Sequence, residues 1–312
     1  MLNINNFEFP REFLIVGAAV KTGIFEALHN EECTSEKLAQ KLNADPRAVW
    51  IVTESLAELG YLEHTGDVLK LSSEANSMFY ESDSQNYNGF AFMHTYDLFA
   101  PWMGLPDTIF NGKPFPKDKK QGPPKNFIRA MSHIAKKSAP DIASYCLAGM
   151  PNGAKVLDVG GGPLTYAREF VKLGASVTIL DLPVVINMMQ PDLLPGEPIE
   201  MIKGDFNEGL PDGPFDLIYL GNVCHIYGEK ENRELFTRSA KALAPGGRIA
   251  IVDMIRGMDI NAALFAVNML VNTENGGTWT YTQYQDWLMD AGFAVEPYAE
   301  VGGRQLITGD KS

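Results

Sequence analysis

Three carboxylates follow apolar runs along the second half of the chain. They are Asp158 in Val156-Leu-Asp-Val-Gly-Gly-Gly162, Asp181 in Leu180-Asp-Leu-Pro183 and Asp205 in Gly204-Asp-Phe206. The glycines after Asp158 permit a tight turn and close approach of a ligand to the backbone. A negative charge two residues before Gly160 is unhelpful beside a pyrophosphate and helpful beside a cation. Asp181 comes 23 residues after Asp158 and is placed to accept both hydroxyls of a ribose. Asp205 can accept from an adenine amino group while Phe206 covers the ring. Taken in order, these groups suit a positively charged nucleoside, and S-adenosylmethionine carries both an ammonium and a sulfonium.

The competing ligand is a dinucleotide. Its fingerprint, Gly-x-Gly-x-x-Gly at the start of a helix, is met by Gly160 and Gly162 but fails at Thr165. A nicotinamide-dependent oxidoreductase is therefore the weaker reading. His225, in Asn222-Val-Cys-His225, adds an imidazole, the side-chain type best suited to take up a proton in general base catalysis. From the residues alone it is either a proton acceptor or a packed strand-end histidine bonded to a carbonyl.

The elements that must position these groups alternate between strand and helix. Lys155–Val159, Ser176–Leu180, Ile199–Ile202, Phe215–Leu220 and Arg248–Val252 read as strands, with helical segments between most of them. The fold class is α/β, a Rossmann-like doubly wound sheet. Phe293–Pro297 and Arg304–Thr308 are candidates for an edge pair. Ligands of such sheets bind beyond the carboxyl ends of the strands, where Asp158, Asp181, Asp205 and His225 all fall.

The chain before this sheet has a different pattern. Thr34 caps an amphipathic segment to Leu42, Pro46 opens a helix to Leu59, and Gly60 ends it. Tyr61–His64 and Val68–Leu71 then flank Thr65-Gly-Asp67 as a hairpin. This is a helical winged-helix domain. DNA binding is the obvious role, but residues 1–76 hold 6 Lys/Arg against 12 Asp/Glu. The helix from Arg47 carries Glu54 and Glu58 among Val49, Trp50, Ile51, Val52 and Leu56, which suits burial in a protein partner. Residues 85–147 read as aromatic-rich helices interrupted by Asn111–Pro116 and Gln121–Pro124. The expected domains are 1–84, 85–147 and 148–312.

The whole chain of 312 residues has 26 Lys/Arg and 39 Asp/Glu, a net charge of -13 that disfavours nucleic acid and anionic membrane. Cys33, Cys146 and Cys224 show no paired or metal-ligand spacing, which fits a reducing, cytoplasmic setting and no metal. Met1 to Pro10 lacks a signal-peptide pattern, and no apolar run nears the ~20 residues of a membrane span.

Together with Leu243-Ala-Pro-Gly-Gly247, the motifs quoted above resemble class I methyltransferases. They are most similar to the O-methyltransferase family that includes caffeic acid, hydroxyindole and bacterial polyketide enzymes. The resemblance spans nearly the whole chain and implies S-adenosylmethionine as cofactor and a homodimer formed through the N-terminal domain. It implies that Asp158, Gly160, Gly162, Asp181, Leu182, Asp205, Phe206, Gly221 and Asn222 surround the cofactor. His225 matches the family's general base. Phe127, Met131, His133, Phe265, Asn268, Met269 and Trp279 fall in segments that line the family's acceptor pocket, and Met and aromatic side chains suit a flat apolar acceptor.

Some positions depart from that family. Plant members have an acid after the histidine, where Ile226 stands, and a glutamate after the glycine pair, where Thr278-Trp279 follows Gly276-Gly277. Asp253 can stand in for one of these orienting acids. Leu164 replaces an expected glycine, and Gly221 a lysine. The expected function is methyl transfer to a hydroxyl of a small aromatic or polyketide-like molecule. The alternatives are a relative that methylates N, S or C or catalyses another reaction with the same cofactor, and, further off, a DNA-binding regulator.

Overall fold

The computed structural model describes residues 9–82, 84–116 and 125–311. The first eight residues and the Gln121–Pro124 turn, about which the sequence raised expectations, lie outside these. The chain divides into two compact units, Met1–Phe99 and Ala100–Ser312.

In the first unit, helices Arg11–Lys21, Ile24–Asn30, Ser35–Leu42 and Pro46–Glu58 precede strands β1 (Leu62–Thr65) and β2 (Val68–Leu71). The local signals act as expected. Thr34 Oγ1 accepts from the Lys37 amide, Asp45 caps the helix that Pro46 opens, and Gly60 takes φ +83° just beyond its end. β1 and β2 pair antiparallel from Leu62–Leu71 to Thr65–Val68. Their inner side closes on Val16, Phe25, Leu28, Leu38, Leu56 and Phe79. On the Pro46–Glu58 helix, Val49 and Leu56 point into this core while Trp50 and Ile51 stay in solvent.

The second unit is built on strands β3 (Lys155–Val159), β4 (Ser176–Asp181), β5 (Ile199–Lys203), β6 (Phe215–Gly221), β7 (Leu243–Asp253), β8 (Phe293–Val295), β9 (Ala299–Val301) and β10 (Arg304–Lys311). They lie in the order β5-β4-β3-β6-β7-β10-β8, with β9 on β10. β3 to β7 run parallel, and β10 is antiparallel to β7. The chain order reverses between β3 and β6, which opens a crevice at the carboxyl ends of those two strands. The sheet is buried on both faces, so its strands read as nearly continuous apolar runs. Val156, Phe170, Val177, Ile179 and Tyr219 fill one side. Leu157, Val159, Leu220, Leu235, Phe236 and Trp287 fill the other.

Two boundaries differ from the sequence reading. β7 begins at Leu243, because Leu243 pairs with Phe215 ahead of a register shift at Leu217. β10 continues to Lys311 and pairs with β8 at the end of the sheet, so the expected edge pair forms with β8 outermost in the strand order. Among the described residues, no helix is long and apolar enough to cross a membrane.

Candidate functional site

The crevice is floored by the turn after β3. Gly160 takes φ +72° and its amide donates to Leu180 O at 2.8 Å. A β-carbon at Gly161 would lie 2.2 Å from the Asp158 carboxyl, and one at Gly162 2.3 Å from Val185. The glycines are thus required by packing as well as by backbone freedom. Leu164, in place of the family's glycine, adopts φ +65° and is fully buried, immediately before helix Thr165–Lys172.

Asp158 is buried, and its Oδ2 finds no hydrogen-bond partner among the described residues. Burial, with a smaller contribution from the Asp181 charge, pushes its carboxyl up to about 8. Asp181 Oδ2 accepts from the Gly162 amide at 3.0 Å and Oδ1 from the Leu182 amide at 2.7 Å. Burial raises Asp181 too, and the two amides oppose that shift. Neither acid has a Lys or Arg ion pair among the described residues. Two neighbouring, desolvated acids without a cation form a site that a positively charged ligand would complete. The residues therefore fit a cationic cofactor such as S-adenosylmethionine.

Further along the crevice, Leu182 is exposed, and Asp205 Oδ1 accepts from the Asn207 amide at 2.8 Å. Phe206 meets the ring of Tyr227 edge-on at 5.3 Å, and its carbonyl accepts from Arg238. Gly221 ends β6, and a β-carbon there would strike Tyr219. Asn222 follows at φ +59°, its amide on Val252 O and its side-chain oxygen accepting from Arg304. A left-handed asparagine at a strand end is the kind of backbone that gathers at functional sites.

His225 sits in the short 3₁₀ turn Cys224–Ile226. Its Nδ1 lies 2.7 Å from Asp253 Oδ1 at the end of β7. A carboxylate only accepts, so Nδ1 carries the hydrogen, and in the neutral ring Nε2 is the nitrogen that presents a lone pair. The His225 amide donates to Asp253 Oδ2 at 3.1 Å. The ring of Phe265, from helix Ile260–Asn272, stands edge-on to the imidazole at 4.8 Å.

The turn itself is held from several directions. Asn232 Nδ2 donates to the carbonyls of Cys224, Tyr227 and Gly228, and the Gly277 amide to His225 O. Trp279 Nε1 donates to Cys224 O at 3.3 Å. Nothing in the sequence pointed to Asn232, whose helix position gives no hint of three carbonyls closing on it.

The other expected acceptor-side residues are dispersed. Phe127 and Met131 lie half-buried on helix Lys125–Ala135, which also carries His133. Ser132 on that helix shares a 3.0 Å hydrogen bond with Thr165, at the start of the helix behind the glycine loop. Asn268 accepts from Trp102 Nε1, and Met269 is buried.

A doubly wound sheet with acids beneath a glycine turn and a histidine at the fourth parallel strand defines the nucleoside-binding methyltransferase class. A sequence model of the O-methyltransferase domain matches residues 122–294, more than half of the chain. The chain belongs to this family of S-adenosylmethionine-dependent O-methyltransferases. Among relatives, it is 26% identical to a 3-hydroxy-5-methyl-1-naphthoate 3-O-methyltransferase of Streptomyces sahachiroi, over 95% of this chain and 90% of the relative. It is 25% identical to the S-adenosyl-L-methionine-dependent methyl transferase PigF of a Serratia species, over 97% and 93%. In fold it resembles the structure of PigF with SAH (TM-score 0.79, 24% identity, 96% of both chains). It also resembles human N-acetylserotonin methyltransferase with SAM (TM-score 0.74, 21% identity, 97% and 94%).

Proposed function

We propose that this protein moves the methyl group of S-adenosylmethionine to a hydroxyl of a small aromatic or polyketide-like acceptor, with His225 as general base. The observation that carries the assignment is the His225–Asp253 contact, which leaves Nε2 as the proton-accepting nitrogen. Methyl transfer from sulfonium to oxygen is an in-line displacement, so most of the rate comes from holding the two reactants in line. The bound cofactor supplies the electrophilic methyl. As the acceptor oxygen attacks, its proton passes to Nε2, and Asp253 remains a carboxylate that stabilises the imidazolium.

In this reading Asp181 receives the ribose hydroxyls, the backbone of Leu182 follows the adenine, and Asp205 with Phe206 frames it. Gly160, Gly162, Gly221 and Asn222 border the methionine portion beside Asp158. Phe265, Asn268 and Met269 wall the acceptor on one side, Phe127 and Met131 on the other. Trp279 serves the acceptor side indirectly, through its hold on the turn carrying His225. An aromatic acceptor agrees with the substrates named for relatives, a hydroxynaphthoate and the tetracenomycin polyketide.

The protein is further read as a cytoplasmic homodimer joined through its N-terminal domain. The exposed Trp50 and Ile51 on the helix Pro46–Glu58, with Leu59 at its end, support that surface, and three unpaired, buried cysteines suit a reducing compartment. Sedimentation of the wild type and of Trp50→Glu tests the dimer: a monomeric wild type, or a variant that still dimerises, removes the assignment.

Calorimetric titration with S-adenosylhomocysteine and NADH, followed by a methyl-transfer screen of phenolic acceptors, tests the activity. Binding of the adenosyl compound alone, with turnover of at least one phenol, is the expected result. Cofactor binding without methylation of any hydroxyl would move the protein to a different reaction.

A further inference from the structure

The Asp253 carboxylate holds more than His225. Tyr284, on helix Tyr281–Asp290, is fully buried, and its hydroxyl donates to Asp253 Oδ2 at 3.0 Å. The same oxygen accepts from the His225 amide at 3.1 Å. Oδ1 accepts from His225 Nδ1 at 2.7 Å and from the Met254 amide at 2.8 Å. Four donors meet the roughly four lone-pair positions of a carboxylate, so the group has neither a spare acceptor direction nor freedom to rotate.

We propose that Tyr284 is a positioning residue for the imidazole, acting through Asp253. Its phenol is the one side-chain donor on the far oxygen, and it does two things. It stops the carboxylate from turning, which keeps Oδ1 aligned with Nδ1. It also draws electron density from the carboxylate, which limits how strongly Asp253 stabilises a protonated imidazole. The chain lacks the second acid that the resembling plant enzymes aim at their histidine. Here a neutral donor acts one link further back and tunes the remaining acid.

The titratable groups facing Asp253 are His225, Tyr284 and Cys224. Burial, reinforced by the Asp253 charge, holds the Tyr284 phenol and the Cys224 thiol well above their ordinary values. The phenol thus remains a donor throughout the working pH range. Phe236 and Trp287, which pack around the Tyr284 ring, bring no charge to it.

This inference rests on His225 being the base, and the variants are chosen to separate the two claims. Tyr284→Phe keeps the ring and removes only the hydroxyl. It should bind S-adenosylhomocysteine as the wild type does and lower kcat roughly tenfold, a part of the 10²–10⁴ that a base contributes. The low-pH limb of its kcat profile should move to higher pH, because a less neutralised carboxylate favours the imidazolium. The His225 ring titration, followed by NMR without turnover, should move the same way and keeps the test open if the variant turns over too slowly to profile. A drop in kcat with neither the limb nor the ring titration displaced would mean a purely structural role and overturn the proposal. Unchanged kcat and titration would overturn it too. If His225→Gln itself leaves kcat intact, the base assignment fails first, and the Tyr284 role falls with it.

Discussion

Gly162 and Asp181 are joined across the crevice: the glycine amide donates to the aspartate Oδ2 at 3.0 Å, and a β-carbon on Gly162 would fall 2.7 Å from that same oxygen. The glycine loop therefore also aims the Asp181 carboxylate, the group proposed to receive the ribose. Two lone-pair positions of Asp181 stay available after the Gly162 and Leu182 amides are served.

Asp181→Ala should weaken binding of S-adenosylhomocysteine by at least tenfold. Hydrogen bonds to a charged group contribute about 1.5–3 kcal/mol each. Calorimetric titration measures it, and an unaltered affinity in a folded variant would remove Asp181 from the site.

Replacing His225, the proposed base, should separate chemistry from binding. His225→Gln is expected to lower kcat by about 10²–10⁴ while cofactor affinity stays within about twofold. Asp253→Asn should reduce kcat as well, since an amide at that position can favour the wrong ring tautomer. Single-turnover kinetics at saturating cofactor distinguish this from slow product release.

Asp158 should make the ligand-free protein less stable as pH rises. Its folded-state value is about 8 against an ordinary 3.8. Between those values the unfolded chain has released the proton and the folded chain retains it, so stability declines from about pH 4 to about pH 8. Urea midpoints at pH 6 and pH 8 should differ for the wild type and differ less for Asp158→Asn, with Asp181 supplying part of what remains. Affinity for the sulfonium cofactor should rise over the same interval, as the ionised acid gains a cation. Equal pH dependence in both proteins would contradict this account.

Leu164→Gly probes the departure from the family's glycine. Leucine at φ +65° costs about 1–2 kcal/mol of backbone energy, whereas emptying its fully buried site costs about 2–5 kcal/mol. The variant should be less stable by about 1–3 kcal/mol in denaturant titration, despite its easier backbone. A more stable variant would show that the buried side chain contributes little.

The strands and the acids at their ends were readable because apolar runs and turn residues are local signals. Asp158, Asp181, Asp205 and His225 each close or follow such a run, and the parallel order of the sheet brings them to one edge. Asp253 was legible for the same reason. Tyr284 and Asn232 were not, since each lies on a helix whose pattern marks the position only as buried. Their roles depend on which polar atoms of distant segments arrive opposite them. The left-handed backbone at Leu164 was equally hidden, because leucine gives no local reason to adopt it and only its burial among Val156, Ala167 and Phe170 offsets the cost.

The clamp on the His225 turn has a consequence for how activity is lost. Asn232, Asp253 and the Gly277–Trp279 segment reach that turn from three separate stretches of the chain, and Asn232 and Asp253 are themselves part of the buried interior. No local opening can release the imidazole without breaking the packing of β7 and the two helices around it. The His225 turn is thus expected to open only with the cooperative unit that holds the domain core, not as a fraying loop. Heat inactivation should then coincide with global melting of that domain, with no cooler phase in which a folded enzyme has lost its base.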